Sequence, residues 1–438
     1  MEQLITYLIV FLFCGIILYI YLRKLKKETR VVEEKVIKAK EDGLFEPVSL
    51  YPHIDVNNCI KSGACITACP EKDILGIMYG KATLINASQC IGHGACFHAC
   101  PVEAISLVIG TEKRGVDLPH IDQDFQTNVS GVYIAGELGG MGLIKNSVEQ
   151  GQGAIENMLK AGFKKDNSTY DVIIVGAGPA GIAASLMAKK HNLNFITLEQ
   201  DSLGGTVFTF PRTKIVMTSP MDLPLHGKVQ LYNTSKAELL RLWKKVLSEN
   251  NIKIREHTKV ELIEYENDHF KISTNANEEF RTKKILLAIG RRGSPRKLNI
   301  TGEDSEKVAY RLLEPENIQD KKIVVVGGGD SAIEAALSLS EQNKVILSYR
   351  SEAFNRIKPM NREKINEAAQ RGVLKVIYKS NLLAVEKEQV TMAIDNEKVN
   401  VKNDLVYIFA GGELPTDFLQ KAGVQITKRF GYTLKKHG

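Results

Sequence analysis

Two stretches of the chain share a pattern in which an apolar strand leads into a glycine-rich turn and then a helix. The first is YDVIIVGAGPAGIAAS at 170–185, and the second is KKIVVVGGGDSAIEAALSLS at 321–340. Glycines in such a turn let the backbone approach a pyrophosphate at the helix N-terminus. Each stretch therefore predicts a nucleotide-binding α/β unit. This pair of units constrains the fold more than any other feature of the sequence.

The first turn has the spacing Gly176-x-Gly178-x-x-Gly181, and the next predicted strand, FITLEQ, ends at Glu199. A carboxylate at that place accepts hydrogen bonds from a ribose hydroxyl. The candidate residues of this site are Gly176, Gly178, Pro179, Ala180, Gly181, Glu199 and Gly205.

The second turn ends in alanine, and the strand after it, VILSYRS, carries Arg350 where the first unit has its acid. An acid bonds the 2′-hydroxyl of NAD, whereas arginine accommodates the 2′-phosphate of NADP. We therefore predict NADP(H), although a solvated surface charge also explains Arg350. The candidate residues are Gly327, Gly329, Asp330, Ser331, Ala332, Arg350 and Arg356.

All seven cysteines lie at or before Cys100, and six of them form an internal repeat. CIKSGACITACP at 59–70 matches CIGHGACFHACP at 90–101 in eight of twelve positions. The bacterial iron–sulfur run is C-x2-C-x2-C-x3-C-P, and its second cysteine is replaced here by Ser62 or His93. Disulfides are disfavoured in the cytoplasm, and structural zinc favours closer cysteine pairs. The repeat therefore predicts iron–sulfur clusters.

The segment around 50–110 resembles the two-cluster ferredoxins, in which the last cysteine of each run binds the other cluster. The resemblance implies one cluster on Cys59, Cys65 and Cys100 and another on Cys90, Cys96 and Cys69. Each set lacks one thiolate. Either Ser62 and His93 fill the gaps, or three-iron clusters form, or His93 only lies nearby.

Residues 4–22, LITYLIVFLFCGIILYIYL, hold no charge and are long enough to cross a bilayer as a helix. Five basic residues follow within 23–30, whereas only Glu2 precedes the run. By the positive-inside rule the rest of the chain is cytoplasmic. The alternative is a cleaved signal peptide, but that requires a basic start and a small-residue cleavage site. We predict a single-pass anchor in the cytoplasmic membrane.

Residues ~115–438 resemble the thioredoxin-reductase-like flavoproteins, which include ferredoxin–NADP reductases. LLAIGRRGSP at 286–295 and LVYIFAGGELPTDFL at 405–419 carry this resemblance with the two turns. It implies FAD in the first unit and a nicotinamide in the second. The family's C-terminal T-x-x-x-G-h-h-h-A-G-D element is missing from 419–438, but TNVSGVYIAGE at 127–137 matches it. The FAD domain is thus predicted to be circularly permuted, with Gly136 and Glu137 at the flavin's ribityl chain.

The predicted fold class is α/β, with two Rossmann-like domains, a small α+β ferredoxin-like domain and one transmembrane helix. The predicted segments are an anchor (1–22), a linker (23–50), an iron–sulfur domain (51–110), an FAD domain (111–301, completed by 404–438) and an NAD(P) domain (302–403).

These features predict electron transfer from NADPH through FAD to the clusters, with no acid–base residue named as catalytic. The acceptor is left open among a quinone, a ferredoxin-like carrier and a thiol protein, and a homodimer is also left open. No basic, aromatic-rich stripe suggests nucleic acid. Thioredoxin reductases carry C-x-x-C where KVAYRLLEP stands at 307–315. A disulfide reductase without its own dithiol and a redox-sensing module remain as alternatives.

Overall fold

The computed structural model describes residues 2–41, 45–47, 49–71, 73–162, 169–210, 215–217, 220–231, 233–291, 294–354, 357–395, 397–413 and 415–437. The chain divides into two compact units. We call Met1–Val116 with Arg429–Gly438 the cysteine unit, and Asp117–Lys428 the nucleotide unit.

The helices are α1 (Glu2–Glu41), α2 (Ala64–Ala68), α3 (Ala95–Ala99), α4 (Ile144–Lys160), α5 (Pro179–Lys190), α6 (Lys236–Glu249), α7 (Asp330–Leu339), α8 (Pro359–Gln370) and α9 (Thr416–Lys421). The strands are β1 (Tyr51–Ile54), β2 (Leu75–Met78), β3 (Lys81–Leu84), β4 (Ile105–Ile109), β5 (Val116–Pro119), β6 (Val132–Ile134), β7 (Tyr170–Val175), β8 (Phe195–Leu198), β9 (Ile215–Met217), β10 (Met221–Leu223), β11 (Gly227–Val229), β12 (Asn233–Ser235), β13 (Ile254–Arg255), β14 (Val260–Glu266), β15 (His269–Thr274), β16 (Glu279–Leu287), β17 (Ser294–Pro295), β18 (Val308–Ala309), β19 (Lys322–Val326), β20 (Lys344–Ser348), β21 (Lys375–Ile377), β22 (Ser380–Val385), β23 (Gln389–Ile394), β24 (Glu397–Lys402), β25 (Leu405–Ile408), β26 (Gly412–Glu413), β27 (Ile426–Arg429) and β28 (Tyr432–Lys435).

The cysteine unit is built on a three-stranded sheet of order β1-β4-β28 and a separate hairpin of β2 and β3. Strand β28 comes from the end of the chain and pairs antiparallel with β4. We predicted from the sequence that 404–438 completes the FAD domain, but residues 432–435 belong to the cysteine unit instead. Their backbone N–H and C=O groups form hydrogen bonds with the edge of β4 that β1 leaves unpaired.

Helix α1 runs without interruption for 40 residues. From Ile5 onward it is long and apolar enough to cross a membrane, by length and composition alone, a test that a signal sequence also passes. Its second half was predicted as a linker. Good helix formers and the Arg30–Glu34 pair at 2.9 Å continue the helix there, and the buried Val36 and Ala39 pack it into the cysteine unit.

The nucleotide unit contains a seven-stranded sheet of order β13-β8-β7-β16-β15-β14, with β6 also paired to β16. The first half of β16 pairs antiparallel with β15, and its last three residues pair in parallel with β6. Leu419 and Val424, which follow β25, are buried in the core of this sheet. This middle part of 404–438 does complete the FAD domain.

A five-stranded sheet of order β18-β25-β19-β20-β21 forms the second half of the nucleotide unit, beside a three-stranded meander of β22, β23 and β24. Strand β25 pairs in parallel with β19. Residues 405–408 therefore belong to the second nucleotide-binding fold and not to the first, contrary to the predicted boundary at 403. The apolar sequence of β25 is buried inside the sheet, with Val406 and Ile408 at its core.

Candidate cofactor sites

The six cysteines of the repeat line two cavities in the cysteine unit. One cavity brings Cys59, Cys65 and Cys100 together with Ser62. The other brings Cys69, Cys90 and Cys96 together with His93. The crossed grouping that the ferredoxin resemblance implied is therefore the grouping that the fold produces.

Backbone donors point at the sulfur atoms of the first set. The amide of Ala82 donates to Cys59 Sγ at 3.4 Å, and the amide of Ala104 donates to Cys100 Sγ at 3.3 Å. Such bonds stabilise thiolates and tune the potential of a bound cluster. These walls of thiols and amide donors fit an iron–sulfur cluster.

Burial affects the thiols of the second cavity most strongly. It raises the pKa of Cys90 to about 11 and that of Cys96 to about 12, so without iron both are protonated at neutral pH. Metal binding must therefore release protons. In the part of the chain that the structure describes, no three His, Cys, Asp or Glu residues can hold a single metal ion. Three thiols that line one cavity without forming a single-ion site suit a cluster, in which each thiolate binds a different iron.

Ser62 and His93 occupy equivalent places in the two repeats and make equivalent contacts. Ser62 Oγ accepts a long hydrogen bond from the Ala64 amide at 3.5 Å, and His93 Nδ1 accepts one from the Ala95 amide at 3.4 Å. Burial lowers the pKa of His93, and the nearby Glu71 partly opposes that shift. The imidazole is therefore neutral, as an iron ligand has to be.

Glu71 is a residue that the sequence analysis missed. It lines the cavity of Cys69, Cys90 and Cys96, whereas its counterpart two residues after Cys100 is Val102, which lines the other cavity. Alignment of the two repeats, extended one residue past the shared proline, would have revealed this difference. The two cavities thus differ by one carboxylate as well as by Ser62 and His93.

The first glycine-rich turn joins β7 to α5. Gly176 has a φ of 104°, and a Cβ on Gly181 would lie only 1.8 Å from the Gly176 carbonyl oxygen, so both positions require glycine. A Cβ on Gly178 would meet no atom within 4 Å, which leaves open space beside the N-terminus of α5. Pro179 starts that helix, and Ala180 is buried beneath the turn. The turn can accept a pyrophosphate.

Glu199 lies buried at the end of β8. Its carboxylate accepts hydrogen bonds from the amides of Ala177 at 2.6 Å and Asp201 at 2.9 Å. Burial raises its pKa, and these bonds partly offset the shift. Each of the two carboxylate oxygens can still accept a further hydrogen bond from a ribose hydroxyl. Gly205 lies against the same turn, because a Cβ there would be 3.3 Å from the Gly178 Cα.

The element TNVSGVYIAGE at 127–137, which precedes the first turn in the sequence, also lies against that turn. A Cβ on Gly136 would lie 3.3 Å from the Ala180 Cβ, so Gly136 and the half-buried Glu137 sit beside the first turn of α5. Helix α4 then packs on α5 so closely that a Cβ on Gly151 would be 2.1 Å from the Ala180 carbonyl oxygen. The structure thus places Gly136, Glu199 and Gly205 against the turn that carries the predicted FAD residues, and Glu137 follows Gly136 directly.

Arg291 is a second residue that the sequence analysis did not single out. It follows β16, and its burial lowers its pKa, an effect that the nearby carboxylates of Glu137 and Asp117 oppose. A half-buried guanidinium close to Glu137 adds a positive charge to this end of the FAD site. The doubled arginine of AIGRRG at 288–293 was the only signal of it in the sequence.

The second turn joins β19 to α7. A Cβ on Gly327 would lie 2.6 Å from the Phe409 carbonyl oxygen, whereas the exposed Gly329 faces open space. Asp330 accepts hydrogen bonds from the Lys358 amide at 2.9 Å and from Asn361 Nδ2 at 2.7 Å. Ser331 is exposed and Ala332 is buried. This turn too can accept a pyrophosphate.

Arg350 is exposed just beyond β20. No hydrogen bond or ion pair joins its guanidinium to any other residue that the structure describes, so it is free to meet a phosphate. The ring of its neighbour Tyr349 lies against the turn, where a Cβ on Gly328 would be only 2.0 Å away. Arg356 lies outside the described residues.

Comparison with known families identifies the architecture. Residues 173–436 match the family described as pyridine nucleotide-disulphide oxidoreductase. The chain belongs to this family. Residues 51–101 match the 4Fe-4S dicluster domain. Together these matches confirm an FAD-dependent oxidoreductase fused to a ferredoxin-type domain, with FAD, NADP(H) and 4Fe-4S clusters as cofactors. The family match begins within β7, after TNVSGVYIAGE at 127–137.

Individual relatives agree with this assignment. A ferredoxin–NADP reductase of Malacoplasma penetrans is 31% identical over 317 residues, covering 60% of this chain and 94% of the relative. The bacilliredoxin reductase Bdr of Bacillus subtilis is 26% identical over 266 residues, covering 59% and 82%. The bacillithiol disulfide reductase structure from Bacillus cereus has a TM-score of 0.53 at 24% identity, covering 60% and 85%. This last likeness concerns the fold alone.

Proposed function

We propose that this protein is a membrane-anchored oxidoreductase that takes electrons from NADPH and delivers them through FAD and the two clusters to an acceptor. Nicotinamides move two electrons and clusters move one, and a bound flavin supplies the conversion. The protein's own residues bind and orient these groups. Accordingly, none of its side chains is assigned acid–base chemistry.

One observation carries the proposal: the six cysteines of the repeat line two cavities in the chain that also carries the two nucleotide folds. The remaining cysteine, Cys14, lies in the apolar run of α1, and none follows Cys100. The nucleotide unit therefore contains no dithiol of its own. The thiol pair that thioredoxin reductases use internally is replaced, in this proposal, by the clusters.

The deciding experiment is anaerobic purification with assays of iron, sulfide and flavin, followed by an NADPH titration monitored optically and by EPR. We expect two clusters and one FAD per chain, with EPR signals of reduced clusters after flavin reduction. Clusters that remain oxidised while the flavin is fully reduced would contradict electron transfer to the cysteine unit. A sensing module would also not sustain NADPH oxidation with an artificial one-electron acceptor.

A disulfide reductase is the second candidate, and it is favoured by the bacilliredoxin reductase relative. It predicts that NADPH still reduces a disulfide substrate when Cys65 and Cys96 are both replaced by alanine and the clusters are lost. The electron-transfer proposal predicts that this variant keeps flavin reduction but loses turnover with the physiological acceptor. Measuring both reactions on the same preparation separates the two functions.

The anchor belongs to the proposal because α1 passes the length and composition test and is followed by five basic residues within 23–30. A reporter fused after Gly438 should behave as cytoplasmic, and carbonate washing should leave the protein in the membrane. A mature protein that is shorter by about 25 residues, the length range of signal peptides, would instead show cleavage.

A further inference from the structure

The β2–β3 hairpin of the cysteine unit packs along the second half of α1. At the tip of the hairpin, the Tyr79 amide bonds to Thr29 Oγ1 at 3.3 Å and its hydroxyl bonds to Glu33 at 3.1 Å. Before the start of β2, Asp73 pairs with Lys35 at 2.5 Å. The hairpin therefore points its tip back toward the apolar half of the helix.

These contacts assign each part of the hairpin a height above the apolar run, which ends at Leu22. At 1.5 Å per residue, Thr29 lies about 10 Å beyond that end and Lys35 about 20 Å beyond it. The polar headgroup layer adds only about 5–8 Å to each side of the hydrocarbon core. If α1 spans the bilayer, the tip of the hairpin lies just above the headgroups.

The two cavities lie at different heights along the hairpin. Ile77 and Ala82, which face each other close to the tip, line the cavity of Cys59, Cys65 and Cys100. Ile74 and Leu75, at the other end of β2, line the cavity of Cys69, Cys90 and Cys96. We call these the near cavity and the far cavity.

The lining of the near cavity includes the more exposed side chains of the two. Its lining includes Ile60, which is 62% exposed, and Val102, which is 36% exposed, together with the exposed Ser62. No residue that lines the far cavity, among those the structure describes, is exposed. Two exposed apolar side chains thus line the near cavity, and they favour an apolar partner over a charged one.

We propose that electrons leave the protein through the near cavity, at the bilayer surface, to a lipid-dissolved carrier of the quinone class. The inference rests on the proposed function and specifies its acceptor. The balanced reaction is NADPH plus one proton plus quinone giving NADP⁺ plus quinol. The hydride hydrogen leaves the flavin as a proton to water when the electrons pass singly through the near cavity. The quinone takes both of its protons from water, so the net uptake is one proton.

The geometric part is tested by EPR on the full chain in phosphatidylcholine vesicles that carry a dysprosium chelate on a fraction of their headgroups. Dithionite serves as a reductant of the clusters that does not depend on NADPH. The Cys90→Ser variant changes a thiol of the far cavity itself and identifies the far-cavity signal. We expect the near-cavity signal to relax markedly faster with the chelate, and the far-cavity signal to change little. Equal enhancement of both signals, or a larger effect on the far cavity, would overturn the proposal.

The acceptor is tested by lengthening α1. Seven residues of helix-forming sequence inserted between Lys27 and Glu28 raise the cysteine unit by about 10 Å with almost unchanged helical phase. NADPH-dependent reduction of a long-chain quinone in the vesicles should fall about tenfold or more, because the productive contact is lost. Ferricyanide, which is water-soluble, serves as the control acceptor and should be reduced at the original rate.

Unchanged quinone reduction after the insertion would refute delivery at the bilayer. Failure of the proposed function has a different signature. In that case either NADPH reduces neither cluster while the dithionite-reduced sample still reports the distances, or carbonate washing removes the protein from the vesicles and the chelate enhances neither signal.

Discussion

At the residue scale, His93 distinguishes the two cavities by charge. If His93 binds iron, a neutral imidazole replaces a thiolate, so the far-cavity cluster is one unit less negative. Histidine in place of cysteine raises the reduction potential of Rieske centres, and this cluster should then be the easier one to reduce. Ser62, bound as an alkoxide, would keep the charge. The contact of His93 Nδ1 with the Ala95 amide must break if the ring ligates through either nitrogen.

We therefore expect His93→Cys to restore four thiolates and lower the potential of the far-cavity cluster. His93→Ala should open one iron site or give a three-iron cluster. EPR-monitored redox titration of the wild type and both variants measures these changes. Unchanged potentials and spectra in both variants would mean that His93 only lies nearby.

Glu71 provides a second test of charge in the same cavity. Glu71→Val copies the residue that the other repeat carries at Val102, and it removes a negative charge near the cluster. We expect the far-cavity potential to rise by on the order of 50 mV, as Coulomb's law gives for a nearby half-exposed charge. The reciprocal Val102→Glu variant should lower the near-cavity potential instead. Shifts of the same sign in both variants would contradict a charge effect.

Arg350 is predicted to select NADPH. A charge-assisted bond to the 2′-phosphate contributes about 1.5–3 kcal/mol, or roughly ten- to a hundredfold in affinity. Arg350→Ala should weaken the binding of NADPH by that factor and leave the binding of NADH unchanged. Flavin reduction at varied nucleotide concentration measures both affinities. Arg371→Ala is the matched control, since that exposed arginine of the same domain pairs with Glu367 at 3.3 Å. Equal use of both nucleotides by the wild type would count against the assignment.

At the scale of elements, the last strand of the chain belongs to the cysteine unit. Beyond β28, the His437 ring stacks on Phe97 with centroids 3.7 Å apart, and His437 Nε2 lies 3.2 Å from the Phe97 carbonyl oxygen. Phe97 is part of α3, between Cys96 and Cys100. The chain terminus thus braces the helix that carries a cysteine of the far cavity.

Removing the contact between His437 and Phe97 should make the clusters lose iron more readily. His437→Ala loses a stacked pair worth about 1 kcal/mol, and deletion of 429–438 also frees the edge of β4. We expect iron to be lost to a chelator faster in the point variant and much faster in the deletion. His226→Ala, an exposed histidine of the nucleotide unit, is the control. Iron loss at the wild-type rate in the deletion would show that β28 is dispensable.

These elements also show where prediction from the sequence ends. The glycine turns, Glu199 and the cysteine repeat were predictable, because local backbone geometry and ligand chemistry demand those residue types at fixed spacings. The division of the cysteines into two sets was implied by the ferredoxin resemblance. The partner of β28 was not predictable, because its pairing with β4 joins residues more than 300 positions apart and no local pattern encodes it. The charged half of α1 resembled a linker because only two of its side chains, Val36 and Ala39, are buried.

At the scale of the whole molecule, the permutation makes the FAD site depend on residues that precede the first fingerprint. Val132, Ile134 and Leu138 are fully buried in the core of the seven-stranded sheet, and Gly136 lies against Ala180. A chain that lacks residues 1–168 should therefore bind no FAD. Flavin absorbance per chain measures this, and a truncated chain with stoichiometric FAD would contradict the permutation.

A truncated chain that simply fails to fold would leave the reason ambiguous, so the conventional order should also be rebuilt. Strand β5 pairs with β27, which places Asp117 and Lys428 on adjacent strands. A short linker can therefore join residues 169–428 to 117–162. Because this chain restores the displaced strand, Glu137 and α4 after the second nucleotide fold, we expect it to bind one FAD and to be reduced by NADPH. A folded but flavin-free chain would mean that the cysteine unit itself contributes to FAD binding.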